Sequence, residues 1–279
     1  MALEVSSLNS GSNGNCYYIG NDRYGILVDA GLSRRETEKR LKRLGLSLQQ
    51  ISAIFITHEH GDHIHGIAGI SRKHAIPIYL SQRTLEQTGL SIRQELIRTF
   101  KPYEEITIGN ISVKGFPKFH DACDPHSFIV SCDGVNVGVF TDVGAPCHHM
   151  RTHFAQCHAA FLESNYDEEM LESGRYPWSL KNRIRGGYGH LSNRQALKFF
   201  QDHRPHFMSH LFLSHLSGDN NSPHLVEQLF NQVAGRTRIV VAGRYQETQL
   251  YRILDINRNY TNKPVHSRAV LQKSQLSLF

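Results

Sequence analysis

No apolar run in this sequence approaches membrane-spanning length, so a helical membrane span is not expected. The opening residues, MALEVSSL, lack a basic segment and carry Glu4 where a signal peptide would be apolar. They read as a first strand, and the protein is expected in the cytoplasm. No C-x-x-C pair occurs, and the five cysteines (16, 123, 132, 147 and 157) are odd in number. A disulfide framework is therefore not expected, and most of these thiols read as small core residues. Cys147, His148, His149, His153, Cys157 and His158 resemble a second metal box, but their spacing fits no zinc pattern and favours a partly exposed helix. Acids are the scarcer charge. There are 25 Asp and Glu against 31 Lys and Arg, a net charge of +6, which suits a polyanionic substrate without requiring one.

Histidine is what the chain has in excess, with 18 residues, and the densest run is Thr57-His-Glu-His-Gly-Asp-His63. Alternate residues of an extended segment point the same way, so His58 and His60 would face one point. Asp62 and His63, opening a helix, would turn back towards a second point beside it. Imidazole with carboxylate suits Zn, Mn or Fe better than Ca, which takes oxygen ligands. The flanks support a built site rather than a chance polar loop. Residues 51–56 form a short apolar run of buried-strand type, and Ile64, Ile67, Ala68 and Ile70 recur at near-helical spacing.

Strands are expected at 3–8, 16–20, 25–29, 53–57, 77–80, 105–108, 111–116, 127–132, 135–140, 158–163, 207–213, 237–242 and 248–255. Helices are expected at 33–44, 63–74, 82–98, 145–156, 166–173, 192–203 and 222–234, with 174–190 irregular. Strand-rich blocks flanked by helices, in two halves with no linker between them, suggest two packed sheets with helices outside, an α/β single domain over residues 1–256. Residues 257–279 contain no acid and little periodicity and read as a basic flexible tail.

A dinuclear site needs further ligands, and His120, Asp142 and His215 each stand where an expected strand empties into a loop. Singly, each is as readily a satisfied loop residue. Together and in this order they resemble the metallo-β-lactamase superfamily, over about residues 1–256. The resemblance implies an αββα four-layer sandwich and two divalent metal ions. It places His58, His60 and His120 on one ion, Asp62, His63 and His215 on the other, and Asp142 between them, with Asp29 orienting ligands. Asp62 also counts with the catalytic set. Such sites activate a water between two cations and stabilise charge on the substrate. That chemistry serves esters, lactams and phosphodiesters alike.

Three features narrow the substrate. Gly189-His-Leu-Ser-Asn-Arg-Gln-Ala196 is similar to an element of phosphodiesterase branches such as the tRNA 3′-processing nucleases. This makes His190 the candidate phosphate-facing residue, Glu163 its acidic partner and Ser192 a helix cap. In the segment before it, Arg175, Lys181, Arg183 and Arg185 interleave with Tyr176, Trp178 and Tyr188, offering cations for phosphates and rings for bases. The nucleic-acid-binding set expected here is Arg175, Trp178, Lys181, Arg183 and Arg185. His-Asp-Ala at 120–122, Ser-Asn-Tyr-Asp at 164–167 and Lys-x-Arg-Ile at 181–184 extend the likeness to the YycJ/WalJ family of bacterial metal-dependent 5′→3′ DNA exonucleases linked to mismatch repair. Finally, Gln275-Leu-Ser-Leu-Phe279 resembles the pentapeptide that docks repair proteins on the β sliding clamp. Leu276, Leu278 and Phe279 would be apolar anchors and Gln275 a hydrogen-bonding group. The leading expectation is a dinuclear DNA exonuclease in repair or replication. An RNA-processing phosphodiesterase, a thioester or lactone hydrolase, and a clamp-binding adaptor with structural metals stand as alternatives.

Overall fold

The computed structural model describes residues 2–255. Two seven-stranded sheets face one another. The first takes β1 (Leu3–Asn9), β2 (Cys16–Gly20), β3 (Gly25–Val28), β4 (Ile51–Phe55), β5 (Ile78–Ser81) and β6 (Ile97–Phe100) in chain order, with β14 (Tyr251–Ile253) added beside β1. The second runs β7 (Glu105–Ile108), β8 (Ile111–Pro117), β9 (His126–Cys132), β10 (Val135–Phe140), β11 (Ala159–Glu163), β12 (His210–Ser214) and β13 (Arg238–Val241). Each sheet is antiparallel through its early hairpins and then parallel, from β3 to β6 and from β10 to β13.

Residue alternation explains the layering. Val28 and Phe55 from the first sheet meet Phe128, Val139, Phe161 and Phe212 from the second in a central core. The alternate residues Leu27 and Ile54 face outward, against Leu41 of α1 (Arg34–Arg43) and Ile67 and Ile70 of α3 (Ile67–His74). On the other side, Phe140, Leu162 and Leu211 pack against Phe154 of α5 (His148–Phe154), Phe200 of α8 (Asn193–His203) and Phe230 of α9 (Pro223–Asn231). Strands buried on both faces read as unbroken apolar runs, which is why β4 and β12 look continuous in the sequence. The result is the expected αββα sandwich in a single domain.

The structure corrects two expected segments. The helix expected to reach 98 ends early, as α4 (Gln82–Thr88), because Gly89 takes a left-handed φ of 57° and stops it. Residues 97–100 then add β6 alongside β5. The stretch expected to be irregular holds α7 (Trp178–Arg185), started by Pro177, between α6 (Glu168–Ser173) and His190. Residues 147–158 form a helix and its flanks, as expected. His149 bonds the Tyr103 hydroxyl at 2.5 Å and His153 stacks on Phe116. Among the described residues no helix is long and apolar enough to cross a membrane.

Candidate metal centre

The C-terminal ends of the parallel strands from both sheets converge at one edge, where α/β sheets place their ligands. Asp29 follows β3, the 57–63 run follows β4, Asp142 follows β10, Glu163 ends β11 and His215 follows β12. Asp29, Asp142 and His215 adopt left-handed backbone with φ of 61°, 55° and 55°. For residues with a side chain this strain costs on the order of 1–3 kcal/mol each, and it survives only where neighbours hold it. Here the Asp29 amide donates to Phe55 O, the Val143 amide to Glu163 Oε2 and the His215 amide to Ser10 Oγ. α2 (Gly61–Ile64) opens directly after His60 and turns Asp62 and His63 inward.

Two triads of potential ligands and a carboxylate between them result. His58, His60 and His120 bring His58 Nε2 to 3.0 Å and His120 Nε2 to 3.3 Å from His60 Nδ1. Asp62, His63 and His215 share Asp62 Oδ2, 3.6 Å from Nε2 of each histidine. Asp142 lies against both, with Oδ2 3.3 Å from His63 Nε2 and Oδ1 3.4 Å from His215 Nε2 and 3.9 Å from His120 Nε2. Ligands about 2.0–2.2 Å from a common ion stand roughly 3–3.5 Å apart, so these separations suit one. Asp142 Oδ2 and His215 Nε2 are buried and make no hydrogen bond. Native proteins rarely leave such atoms without a partner, and a divalent cation satisfies both. The cluster fits divalent metal binding.

The far sides of His58, His63, His120 and His215 are held as well. Asp29 accepts from the Thr57 amide at 2.8 Å and hydroxyl at 2.9 Å, and its Oδ2 lies 2.7 Å from His63 Nδ1. Thr57 Oγ1 meets His58 Nδ1 at 2.8 Å, His120 Nδ1 meets Gly189 O at 3.1 Å, and His215 Nδ1 meets Glu163 Oε1 at 2.9 Å. Such contacts fix which ring nitrogen would face a metal. Asn15 donates to Asp62 Oδ2 at 3.1 Å, and Asn165 contacts His215. The sequence expectation named Asp29 but not Thr57, Asn15 or Asn165. Thr57 carried a signal, standing immediately before His58; nothing distinguished the two asparagines.

Burial lowers the His58 pKa well below its usual value and that of His120 to about 3, so both rings are neutral, as ligands must be. Burial works the same way on His63 and His215, but the surrounding carboxylates, Asp142 foremost, raise both, His215 to about 10. Asp142 stays ionised despite burial because His215 and His63 face it. Glu163 is also fully buried, yet His190 and His215 hold its pKa down to about 2. A cation would displace protons from His63 and His215.

His190 joins this group. Its Nδ1 lies 2.8 Å from Glu163 Oε1, and its ring centroid sits 5.3 Å from that of His120 and 5.1 Å from that of His215. Its ring therefore lies beside residues of both ligand groups.

The expected nucleic-acid segment divides. Arg183 projects from α7 and donates to Asp121 Oδ2 at 2.5 Å, beside His120. Arg185 pairs with Glu172 at 3.0 Å and stacks over exposed Trp178 at 4.4 Å. Arg175 lines a cleft of about 570 Å³ with Tyr176, Asp219 and Asn220, whose walls include none of the candidate ligands. Lys181 is a correction. It is 8% exposed and its ammonium donates to Glu172 O, so it braces the turn between α6 and α7 and offers no surface cation. Gln275, Leu276, Leu278 and Phe279 lie outside the described residues.

The family profile described as the β-lactamase superfamily domain matches residues 24–215. The exodeoxyribonuclease YycJ of Bacillus anthracis is 37% identical over 236 residues, covering 84% of this chain and 89% of its own. The exodeoxyribonuclease WalJ of Streptococcus pneumoniae is 31% identical over 240 residues, with the same coverage. The metallo-β-lactamase fold protein YhfI from Bacillus subtilis superposes with a TM-score of 0.71 at 14% identity, over 90% of this chain and all of its own, a likeness of fold. This chain belongs to the metallo-β-lactamase superfamily, in the family of the YycJ and WalJ exodeoxyribonucleases.

Proposed function

We propose that this metal-dependent hydrolase is a DNA exonuclease holding two divalent ions and working from the 5′ end in repair or replication. The observation that carries the reading is Glu163 Oε1, which serves both the ligand His215, at 2.9 Å, and His190, at 2.8 Å. One carboxylate thus fixes a metal ligand and a substrate-facing imidazole with respect to each other. The names of the YycJ and WalJ relatives support DNA as the polymer.

His58, His60 and His120 would hold one ion and Asp62, His63 and His215 the other, with Asp142 between them; the donor set admits Zn, Mn or Fe. When bound, such ions supply an activated water and positive charge for the phosphate. The chain's own groups do the rest. Asp29 and Thr57 lock His63 and His58, so the ligands cost little reorganisation when substrate arrives. Glu163 occupies Nδ1 of His190, leaving Nε2 to contact the scissile phosphate or deliver a proton to the leaving oxygen. Arg183, held by Asp121, sets a cation beside His120 for a neighbouring phosphate.

The direct test is digestion of 5′-phosphorylated duplex DNA with Mn²⁺. The expected result is mononucleotide release from the 5′ end, with His190→Ala slower by about 10²–10⁴-fold and its metal content unchanged. Digestion of RNA and not DNA would move the reading to RNA processing, and no cleavage of any phosphodiester would end it. Residues 1–256 are taken as the catalytic domain of a cytoplasmic protein, with 257–279 as a tail for recruitment. The Gln275–Phe279 pentapeptide would dock on the sliding clamp. Deleting Leu276 to Phe279 should abolish clamp binding while sparing hydrolysis of short DNA, and unchanged clamp affinity refutes that role.

A further inference from the structure

Two exposed aromatic rings flank cluster residues in the chain. Phe119 is 46% exposed and immediately precedes His120; Tyr188 is 62% exposed and lies two residues before His190. Their rings touch edge to face, with centroids 5.8 Å apart and planes at 70°. Trp178, as exposed as Tyr188, is already covered by Arg185. Phe119 and Tyr188 pack on each other and leave the rest of their ring surface to solvent.

The backbone beneath them is fixed to the site. Phe119 O accepts from the Gly144 amide at 2.7 Å, and Phe119 bridges Ala145, just after Asp142. Gly144 lets the two segments meet. A Cβ there would lie 2.3 Å from Gly187 O and 2.4 Å from Tyr188 Cα, so only glycine allows this approach. Gly189 O in turn receives His120 Nδ1 at 3.1 Å. One Cα step of about 3.8 Å separates Phe119 from a ligand, and two separate Tyr188 from His190. Phe119 and Tyr188 thus sit on the two segments that also carry His120 and His190, and those segments are joined at His120 Nδ1 and Gly189 O. Arg183 adds a cation on the same side.

We infer that Phe119 and Tyr188 form a base-stacking subsite that takes the unpaired nucleobase next to the scissile phosphate. Aromatic faces accept any base, so the subsite contributes grip without sequence preference, and it favours a DNA end whose terminal base has left the helical stack. The inference rests on the nuclease reading above and adds which part of the nucleotide, besides its phosphate, the enzyme holds.

The test uses 5′-phosphorylated single strands whose terminal nucleotides are either natural or abasic tetrahydrofuran residues with the same backbone. The full-length metal-loaded enzyme should cleave the natural strand with kcat/KM about ten- to hundredfold higher, mostly through KM. The Phe119→Ala/Tyr188→Ala double variant should lose that advantage while cleaving the abasic strand at the wild-type rate. Phe119→Tyr/Tyr188→Phe, which keeps both rings, should retain it. Equal cleavage of the two strands by the wild type, or an equal loss on both strands in the double variant, overturns the subsite. If the wild type cleaves neither strand, the nuclease reading falls, and fluorescence of a terminal 2-aminopurine decides the subsite separately. Quenching by the wild type and not by the double variant supports stacking, and equal fluorescence with both proteins overturns it.

Discussion

Glu163 is fully buried with four groups on it: the amides of Val143 and Leu191 and the rings of His190 and His215. Replacing it with Gln keeps the shape but removes the charge that orients both imidazoles. Glu163→Gln should lower kcat by about 10²–10⁴-fold and weaken metal retention about 10–100-fold. Steady-state rates and metal content after dialysis against a chelator separate the two effects; full activity with full metal would refute the shared-oxygen role. Asp29→Asn acts only behind the ligands, through His63 and Thr57. It should weaken metal binding about 10–100-fold and restore near-normal rates at saturating metal. A rate that stays low under saturation would give Asp29 a part in the chemistry. Residue type explains what could be read beforehand. Histidine and aspartate in an H-x-H-x-D-H spacing announce their chemistry, whereas the amides of Asn15 and Asn165 and the hydroxyl of Thr57 gain meaning only from the atoms that fold against them.

Elements were legible where period and length agreed, and least so where a single residue decides a boundary. β4 and β10 to β12 stand out because both their faces are buried, while β6 hides behind the left-handed Gly89 and its exposed middle residues, Arg98 and Thr99. α7 was missed because its eight residues carry more charge than apolar surface. Close approach of two loops is equally silent in sequence. A Cβ on Gly31 would sit 1.7 Å from Asp62 O, the atom that accepts the Asn15 amide. Gly31→Ala should push Asp62 and His63 off their positions, cost roughly 1–3 kcal/mol and leave the purified protein poor in metal. A variant with wild-type metal content and melting temperature would contradict this. Between α1 and α3 the link is Glu38, which receives Arg34 at 2.6 Å, Lys73 at 3.0 Å and His74 at 2.8 Å. Burial opposes its charge, but hydrogen bonds from Lys73, His74 and Arg34 hold its pKa at about 2, down from 4.5. A folded pKa below the unfolded one means the link is fully stabilising above about pH 4.5 and fades as pH falls towards about 2. With Glu38 partly exposed, its worth is at most about 1 kcal/mol. Glu38→Gln should therefore lower the urea midpoint at pH 7 and lower it progressively less below about pH 4.5. A pH-independent shift would remove the ionic explanation.

At the scale of the whole molecule, the candidate ligands are divided between the sheets. His58, His60, Asp62 and His63 leave β4 in the first sheet, while His120, Asp142 and His215 leave the second sheet after β8, β10 and β12. The central core joins the sheets through Phe55, Phe128, Phe161 and Phe212, apart from the cluster, so the fold is expected to form without metal. What metal would add is a clamp at one edge, where four carboxylates (Asp29, Asp62, Asp142 and Glu163) otherwise have only histidines and the buried Lys118 to balance them. Ligand present at about a thousand times its Kd stabilises the native state by about 4 kcal/mol, which for a domain of this size shifts Tm by roughly 10 °C. Chelation should lower Tm by that order. It should also speed amide exchange together at 57–66, 141–144 and 214–217, segments from both sheets, and leave the outward cores under α1, α3, α8 and α9 protected. Exchange rising on one sheet alone would mean that the edge is not bridged, and exchange rising throughout would mean that metal holds the fold itself.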